Sequence, residues 1–385
     1  MAALLLDVVG EVSISARQVN KLTEKVGHEL EQERDRRTQA YQERPLPRRH
    51  TAVSPEPQLA SVSVDGGRMQ TRVAGRGSGV HDPAWRETKN AAFFRMQSCT
   101  FAEDPHPQLP HVFADRRRVD QLLGEAENAE NPEKTRGSEL SAAVPLDAAD
   151  KPDWRPQPLF RTCLSSLCTS KQFGPMMAAE ADSRGFFHAA KRVFLGDGQA
   201  YNWKIQQAHF PTFTAIVDFV HVIEYVHRVA RAVADNEDHA WAIYLPSATA
   251  CWQGRVAEVI AQLQDWQRRL GPLTEKHAVD ETDPRWIVAR TLTYLNNNRA
   301  RMDYPAYRRA GLPVTSSLME SLVKEINHRV KGTEKFWNDG PGGEAILQVR
   351  AALLSHDNRL AKHLAARPGC PYHPRAIPPP LTIAP

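Results

Sequence analysis

Long apolar runs are missing from this chain. No segment approaches the ~18 consecutive apolar residues of a membrane-spanning helix, and the mean hydropathy is -0.50. A basic n-region is missing as well. MAALLLDVVGEVS carries no Lys or Arg and turns acidic after its short apolar run, so it reads as a helix and not as a secretory signal. Cysteine is scarce: the five residues Cys99, Cys163, Cys168, Cys251 and Cys370 are scattered and odd in number, which argues against an extracellular disulfide framework. Cys163 and Cys168 have no Cys or His pair downstream at finger spacing, which argues against a zinc finger. Reduced, mostly packed thiols of a cytoplasmic protein are the expectation. A surplus of one charge is also lacking, since 49 Lys and Arg face 45 Asp and Glu for a net +4. That excludes a basic tail or histone-like coat but leaves room for a local basic patch.

What is present is ordinary globular usage, 41% hydrophobic and 24% charged over 385 residues. This is enough chain for a sizeable core and roughly two domains. Residues 1–44 read as helical, and prolines 45, 47, 55 and 57 make 45–58 a linker. LASVSVDGG then alternates, with Val62 and Val64 on one face, and predicts a strand that stops at Gly66-Gly67. WRETKNAAFFRMQSCTF (85–101) predicts a partner strand or a pair of strands, and the acidic, Pro-rich 103–158 predicts surface loops with one short helix near 115–127. Residues 159–190 carry a helical period. RVFLGDG (192–198) and TAIVDF (214–219) predict buried strands. From Val220 to about Arg309 the pattern is helical, with breaks at Pro246, Gly271 and Pro284 and with Trp241, Trp252, Trp266 and Trp286 as core anchors. SSLMESLVKEINHRVKG predicts a helix capped by Ser316 or Ser317, with Met319, Leu322, Val323, Ile326 and Val330 as its apolar stripe. GGEAILQVRAALLSHDNRLAKHL predicts another. The Pro-rich tail 368–385 predicts disorder.

Two strands end in a carboxylate followed by glycine, Val64-Asp65-Gly66 and Gly196-Asp197-Gly198, and Glu320 stands at the border of the apolar stripe of its helix. Carboxylates at sheet ends suit hard divalent cations such as Mg²⁺, which take oxygen ligands and keep open positions for phosphate. Two such ions ~3.5–4 Å apart support phosphodiester transfer. Taken singly, an Asp before Gly is more often a turn residue, and a Glu in a first helical turn is favoured by the macrodipole. The combination carries the chemistry.

The blocks VSVDGGRMQTR, FLGDGQAYNW, FPTFTAIVDFVHVIEYV and GLPVTSSLMESLVKEINHRVKGTEKFWN resemble, in order, those of bacterial insertion-sequence transposases of the DDE type, in the branch close to the Mutator-like elements. The resemblance spans most of residues 11–365. It implies an α/β, ribonuclease H-like mixed sheet with flanking helices, interrupted by an all-helical insertion. The catalytic core would start at 59–219, the insertion would be 220–310, and 311–367 would hold the catalytic and closing helices. It further implies Asp65, Asp197 and Glu320 as catalytic metal ligands for Mg²⁺, with Mn²⁺ as substitute. Asp218 and His221 would be the supporting Asp-x-x-His element. The partners implied are double-stranded DNA, both terminal repeats and target, and a second copy of the chain to join two ends, in the bacterial nucleoid and with no membrane. Members usually carry a further N-terminal DNA-reading region, so 1–44 is expected to be the remnant of one, with the frame truncated or that region encoded elsewhere.

Residues 285–335 hold ten Lys or Arg against four acidic residues, a local excess larger than that of the whole chain. Lys324, Asn327 and Lys331 follow Glu320 at i+4, i+7 and i+11, and with Arg329 they are candidate phosphate contacts. Trp337 reads as core before it reads as a base-stacking platform. His221-x-x-Glu224-x-x-His227 matches no zinc peptidase spacing. Gly75-Arg-Gly77-Ser-Gly79 lacks the Lys-Ser/Thr of a phosphate loop and reads as a flexible loop, and Cys370-Pro-Tyr-His373 has no partner ligands. Alternative expectations are a plain metal-dependent nuclease on the same fold, or an idle remnant that binds DNA or a full-length transposase.

Overall fold

The computed structural model describes residues 14–72, 84–130, 154–273, 280–331 and 337–368. The expectations for the first thirteen residues, the glycine loop at 75–79 and the tail after Pro368 lie outside them. The fold is mixed α/β. Strands β1 (Leu59–Arg72), β2 (Ala84–Gln97), β3 (Gln157–Ser166), β4 (Lys191–Gly196) and β5 (Thr214–Val217) form one sheet in the order β3-β2-β1-β4-β5, and β6 (Trp337–Asn338) pairs with the far end of β1. The β3-β2-β1 half is antiparallel, whereas β1, β4 and β5 run parallel. The helices are α1 (Ala16–Gln42), α2 (His111–Ala114), α3 (Arg116–Glu130), α4 (Ser170–Ser183), α5 (Ala200–His209), α6 (Phe219–Val233), α7 (Glu237–Trp252), α8 (Val256–Leu270), α9 (Pro284–Asn298), α10 (Tyr304–Arg309), α11 (Ser317–Val330), α12 (Asp339–Leu354) and α13 (Arg359–Ala366). Among the described residues no helix is long and apolar enough to cross a membrane.

β1 is central, and it is buried on both faces. Leu59, Ala60, Val62 and Val64 share the interior with Ser61 and Ser63, so the serine face of the Val/Ser alternation is not a wet one. β1 also runs past Gly66-Gly67 to Arg72, because β2 continues to pair with it as a two-stranded ribbon beyond the last β1–β4 pair, Val64 with Gly196. Asp65 therefore lies inside its strand, at the point where the parallel half of the sheet stops.

Three further expectations are corrected. Residues 157–166 form a strand, not a helix, because β2 offers a free edge and Cys163 to Ser166 bury there on both faces. A 3.6-residue period cannot separate a short buried strand from a helix. Pro246 breaks nothing and sits inside α7. The segment after Gly342 is two helices, divided at Ser355–Asn358, where Asn358 takes φ 56.

α1 begins at a capping box in which the Ser15 hydroxyl accepts from the Gln18 N–H and the Gln18 side chain accepts from the Ser15 N–H. It packs along α12 and against α4. α11 crosses β1 and β2, and α12 packs on β3. Helices α6 to α9 pack on one another, and their side chains join the sheet in one continuous core. Phe219 centres that junction, with Trp252 4.8 Å and Tyr304 5.1 Å away between ring centroids. The Tyr304 hydroxyl donates to the Val217 carbonyl at 3.0 Å, so α10 is tied to the end of β5.

Candidate active site

The parallel half of the sheet ends in register. Val64 pairs with Gly196, and Gly196 with Val217, so the next residue on each strand is an aspartate: Asp65, Asp197 and Asp218. Neighbouring strands lie ~4.8 Å apart, which sets the three backbones side by side at one edge. Each follows a buried stretch of strand, and β4 and β5 end at this level whereas β1 continues beyond it.

Asp218 is wholly buried and acts as a clamp. Its carboxylate accepts from the Val220 N–H at 3.1 Å, capping α6, and from the Ser316 N–H at 3.0 Å and hydroxyl at 2.5 Å. Ser316 is the N-cap residue of α11, the helix that carries Glu320, but its hydroxyl donates to Asp218 and does not cap its own helix. The Phe219 N–H also donates to the Val314 carbonyl at 3.0 Å. The end of β5 thus fixes the start of α11, which brings Glu320 over the strand ends although it lies more than a hundred residues downstream of Asp197.

Asp197 is held from two directions. Its Oδ1 accepts from the Gln199 N–H at 2.9 Å and from Asn202 Nδ2 at 2.7 Å. Its carbonyl accepts from the Tyr294 hydroxyl at 2.9 Å, and Asn298 on the same helix, α9, donates to the Gly198 carbonyl at 3.2 Å and accepts from Trp203 Nε1 at 2.7 Å. The helical stretch therefore braces the Asp197 loop directly. Gly198 has φ +95, and a Cβ there would stand 2.5 Å from the Tyr294 ring, so only glycine fits.

The electrostatics match this crowding. Burial raises the Asp65 carboxyl to about 6, and Asp197 and Asp218 push the same way against His221 and the Gly66 N–H. Burial raises Glu320 to about 7, with Asp218 and Asp65 adding to it and His221 and Lys324 opposing. Burial also raises Asp218. His221 is driven well above the usual histidine range: burial opposes its charge, but the hydrogen bond to Glu224 (3.3 Å) and the carboxylates of Asp218 (3.8 Å), Asp197 and Asp65 outweigh that. Asp65, Asp197, Asp218, Glu320 and His221 therefore form one coupled cluster with an excess of negative charge.

The expected phosphate contacts divide. Lys324 and Arg329 are exposed on α11, and Lys331, just past its end, is half-buried. Asn327 turns toward the sheet instead. Its Oδ1 is buried without a hydrogen-bond partner, near Gly67 on β1. Trp337 is tethered through its Nε1 to the Val330 carbonyl at 2.8 Å, as a packed residue is. Among the described residues no three Asp, Glu, His or Cys side chains close on one point as ligands of a single ion.

Several residues of the site carry no signal in the sequence. Ser316 and Tyr294 reach it only through tertiary packing. Lys89, buried on β2, pairs with Gly66 across the strands, and its ammonium sits 4.2 Å from the centroid of the Tyr201 ring. Tyr201 and Asn202 could have been suspected, because they lie in the first turn of the helix that follows the Asp197 loop.

No protein-family model matches this chain, and no curated protein is detectably similar to it. The reading of the site rests on its geometry and on the resemblance of the sequence blocks.

Proposed function

We propose that this chain is a DNA transposase of the DDE type, acting through Asp65, Asp197 and Glu320 on a ribonuclease H-like core interrupted by the helical stretch 220–310. The observation that carries the reading is the aspartate row at the parallel strand ends, with Glu320 electrostatically coupled to it. The strand order, three antiparallel strands continued by two parallel ones, supports the fold assignment. Among other metal-dependent nucleases the same carboxylates would serve, and strand joining separates the two.

The donor set consists of carboxylate oxygens, which fits Mg²⁺ or Mn²⁺ and does not fit a soft metal. The raised proton affinity of Asp65 and Glu320 supports a site that a cation would relieve. Asp65, Asp197 and Glu320 would hold the ions. When bound, two such ions supply Lewis acidity to the attacking and leaving oxygens of the phosphodiester. The chain's own part is positioning. Asp218 fixes the α11 start, Asn202 and Gln199 hold the Asp197 carboxylate, and the cationic His221 offsets part of the charge between them. The substrate is double-stranded DNA at the element ends, first hydrolysed and then joined through the freed 3′-hydroxyl to target DNA. A pair of chains would hold the two ends.

The test is a plasmid strand-transfer assay with Mg²⁺ or Mn²⁺, using DNA that flanks the gene as donor and comparing Asp197→Asn and Glu320→Gln with the parent. Joined products lost in both variants are expected, together with a Mg²⁺-induced rise in melting temperature that both variants lack. Nicking without joining points to the nuclease. Metal-independent behaviour of all three proteins rejects the site.

A further inference from the structure

A polyanion has to approach a cluster of Asp65, Asp197, Asp218, Glu320 and Glu224. His221 and Lys324 oppose the charge of the cluster from α6 and α11, and Arg228 and Arg290 act on Glu224. A further cation, Lys89, comes from the sheet and is unlike a surface lysine. It is only 7% exposed, on a strand whose neighbours are fully buried. It stands across from Gly66, the residue after Asp65. Its ammonium lies over the Tyr201 ring, and the Tyr201 phenol, raised first by burial, is coupled in turn to Asp197, Asp65 and Glu87. Tyr201 itself stands in the first turn of the helix that follows the Asp197 loop. Among the described residues the carboxylate paired with Lys89 is Glu87, which is mostly exposed. A pair whose carboxylate is mostly exposed to solvent contributes little stability and does not by itself account for burying a lysine stem there.

We propose that Lys89, seated on the Tyr201 ring, grips a phosphate oxygen of the DNA strand beside Asp65 and Asp197, and that Glu87 occupies the ammonium until the phosphate displaces it. The inference rests on the proposed DNA-strand chemistry of that site and names one of its substrate contacts. A lysine ammonium is a compact point charge suited to a single phosphate oxygen. A buried stem on a strand holds it in one place, which lowers the ordering cost of the contact. The aromatic face keeps the ammonium oriented while the carboxylate leaves. Glu87, on a short side chain open to solvent, is free to move away.

The measurement is fluorescence anisotropy of a labelled DNA duplex across a salt series, in Ca²⁺ to prevent chemistry, with Lys89→Met, Lys89→Arg and Glu87→Gln beside the parent. Lys89→Met should remove one counterion from the salt slope, about 0.9 units, and weaken binding about 5- to 10-fold at moderate salt. Lys89→Arg should bind nearly as the parent. Glu87→Gln should bind more tightly, since it frees the ammonium and deletes a repelling charge. That variant is exposed and keeps the test alive if Lys89→Met fails to fold. Unchanged slope and affinity in Lys89→Met, or no gain in Glu87→Gln, overturns the proposal while parental Mg²⁺-dependent cleavage leaves the function standing. A parent that neither binds nor cleaves DNA overturns both.

Discussion

Asp218 shows how much a single side chain organises here. One buried carboxylate closes the end of β5, caps α6 and holds Ser316 at the start of α11. Unpaired, such a group would cost several kcal/mol in the interior, so its bonds have to be complete. Ser316→Ala removes the hydroxyl bond and leaves the N–H bond in place. The expected outcome is a loss of about 1–2 kcal/mol in stability by denaturant titration. A fall in single-turnover DNA cleavage of at least tenfold is expected beside it, with DNA affinity unchanged, since α11 loosens where Glu320 begins. Equal losses in cleavage and affinity would instead place Ser316 in substrate binding. The Asp-x-x-His spacing was legible in the sequence, but its use was not. The bond from Asp218 to Ser316 spans 98 residues, and no local pattern encodes it.

Elements set the site by where their pairing stops. The parallel pairing of β1, β4 and β5 ends at one level, and α9, from the helical stretch, braces the loop that carries Asp197 through Tyr294 and Asn298. The tightest point of that brace is Gly198, which combines φ +95 with the close approach of the Tyr294 ring. Gly198→Ala should destabilise the protein by about 1–3 kcal/mol through strain and overlap. In Gly198→Ala/Tyr294→Ala the overlap is relieved, and chemical denaturation should show a double variant less destabilised than the sum of the single ones. Additive losses would mean that α9 does not brace the loop. At this scale the sequence was a partial guide. The strands at 59, 192 and 214 and the helix at Glu320 have clear periods, whereas 157–166 was misread because an edge strand with a buried end resembles part of a helix. The end of β1 was misread at Gly66-Gly67, where glycine serves close packing against Thr88 and Asn90 and does not end the strand.

Across the whole molecule, the two ends of the described chain meet on a buried ion network. Glu180, on α4, accepts from Arg359 of α13 and from Arg184, and lies 3.5 Å from Arg37 of α1, while Arg184 and Arg359 also pair with Asp357. Burial alone would raise the Glu180 carboxyl, but Arg359, Arg184 and Arg37 lower it from 4.5 to about 2. A carboxyl lowered on folding stabilises the fold above its unfolded value and loses that contribution as pH falls through the folded one. The network should therefore supply about 3 kcal/mol at neutral pH, lost between about pH 4.5 and 2. Glu180→Gln removes the carboxylate that faces three guanidinium groups, of which Arg184 and Arg359 keep Asp357, and should cost about 3 kcal/mol at pH 7. Its stability, measured by denaturant titration at several pH values, should fall less steeply with acid than that of the parent. An unchanged acid profile would remove the network from the account.

The alternation of β1, the buried strands at β4 and β5 and the apolar stripe of α11 follow from the sequence alone, because each depends on spacing within one segment. The tertiary structure decided the rest. It set the parallel register that puts Asp65, Asp197 and Asp218 in one row. It also set the clamp from Asp218 to Ser316, the brace from α9, and the burial of Lys89 beside the site. Those contacts join residues far apart in the chain, and their energies come from burial and from pairing polar groups away from water. Such energies exist only once the layers have packed.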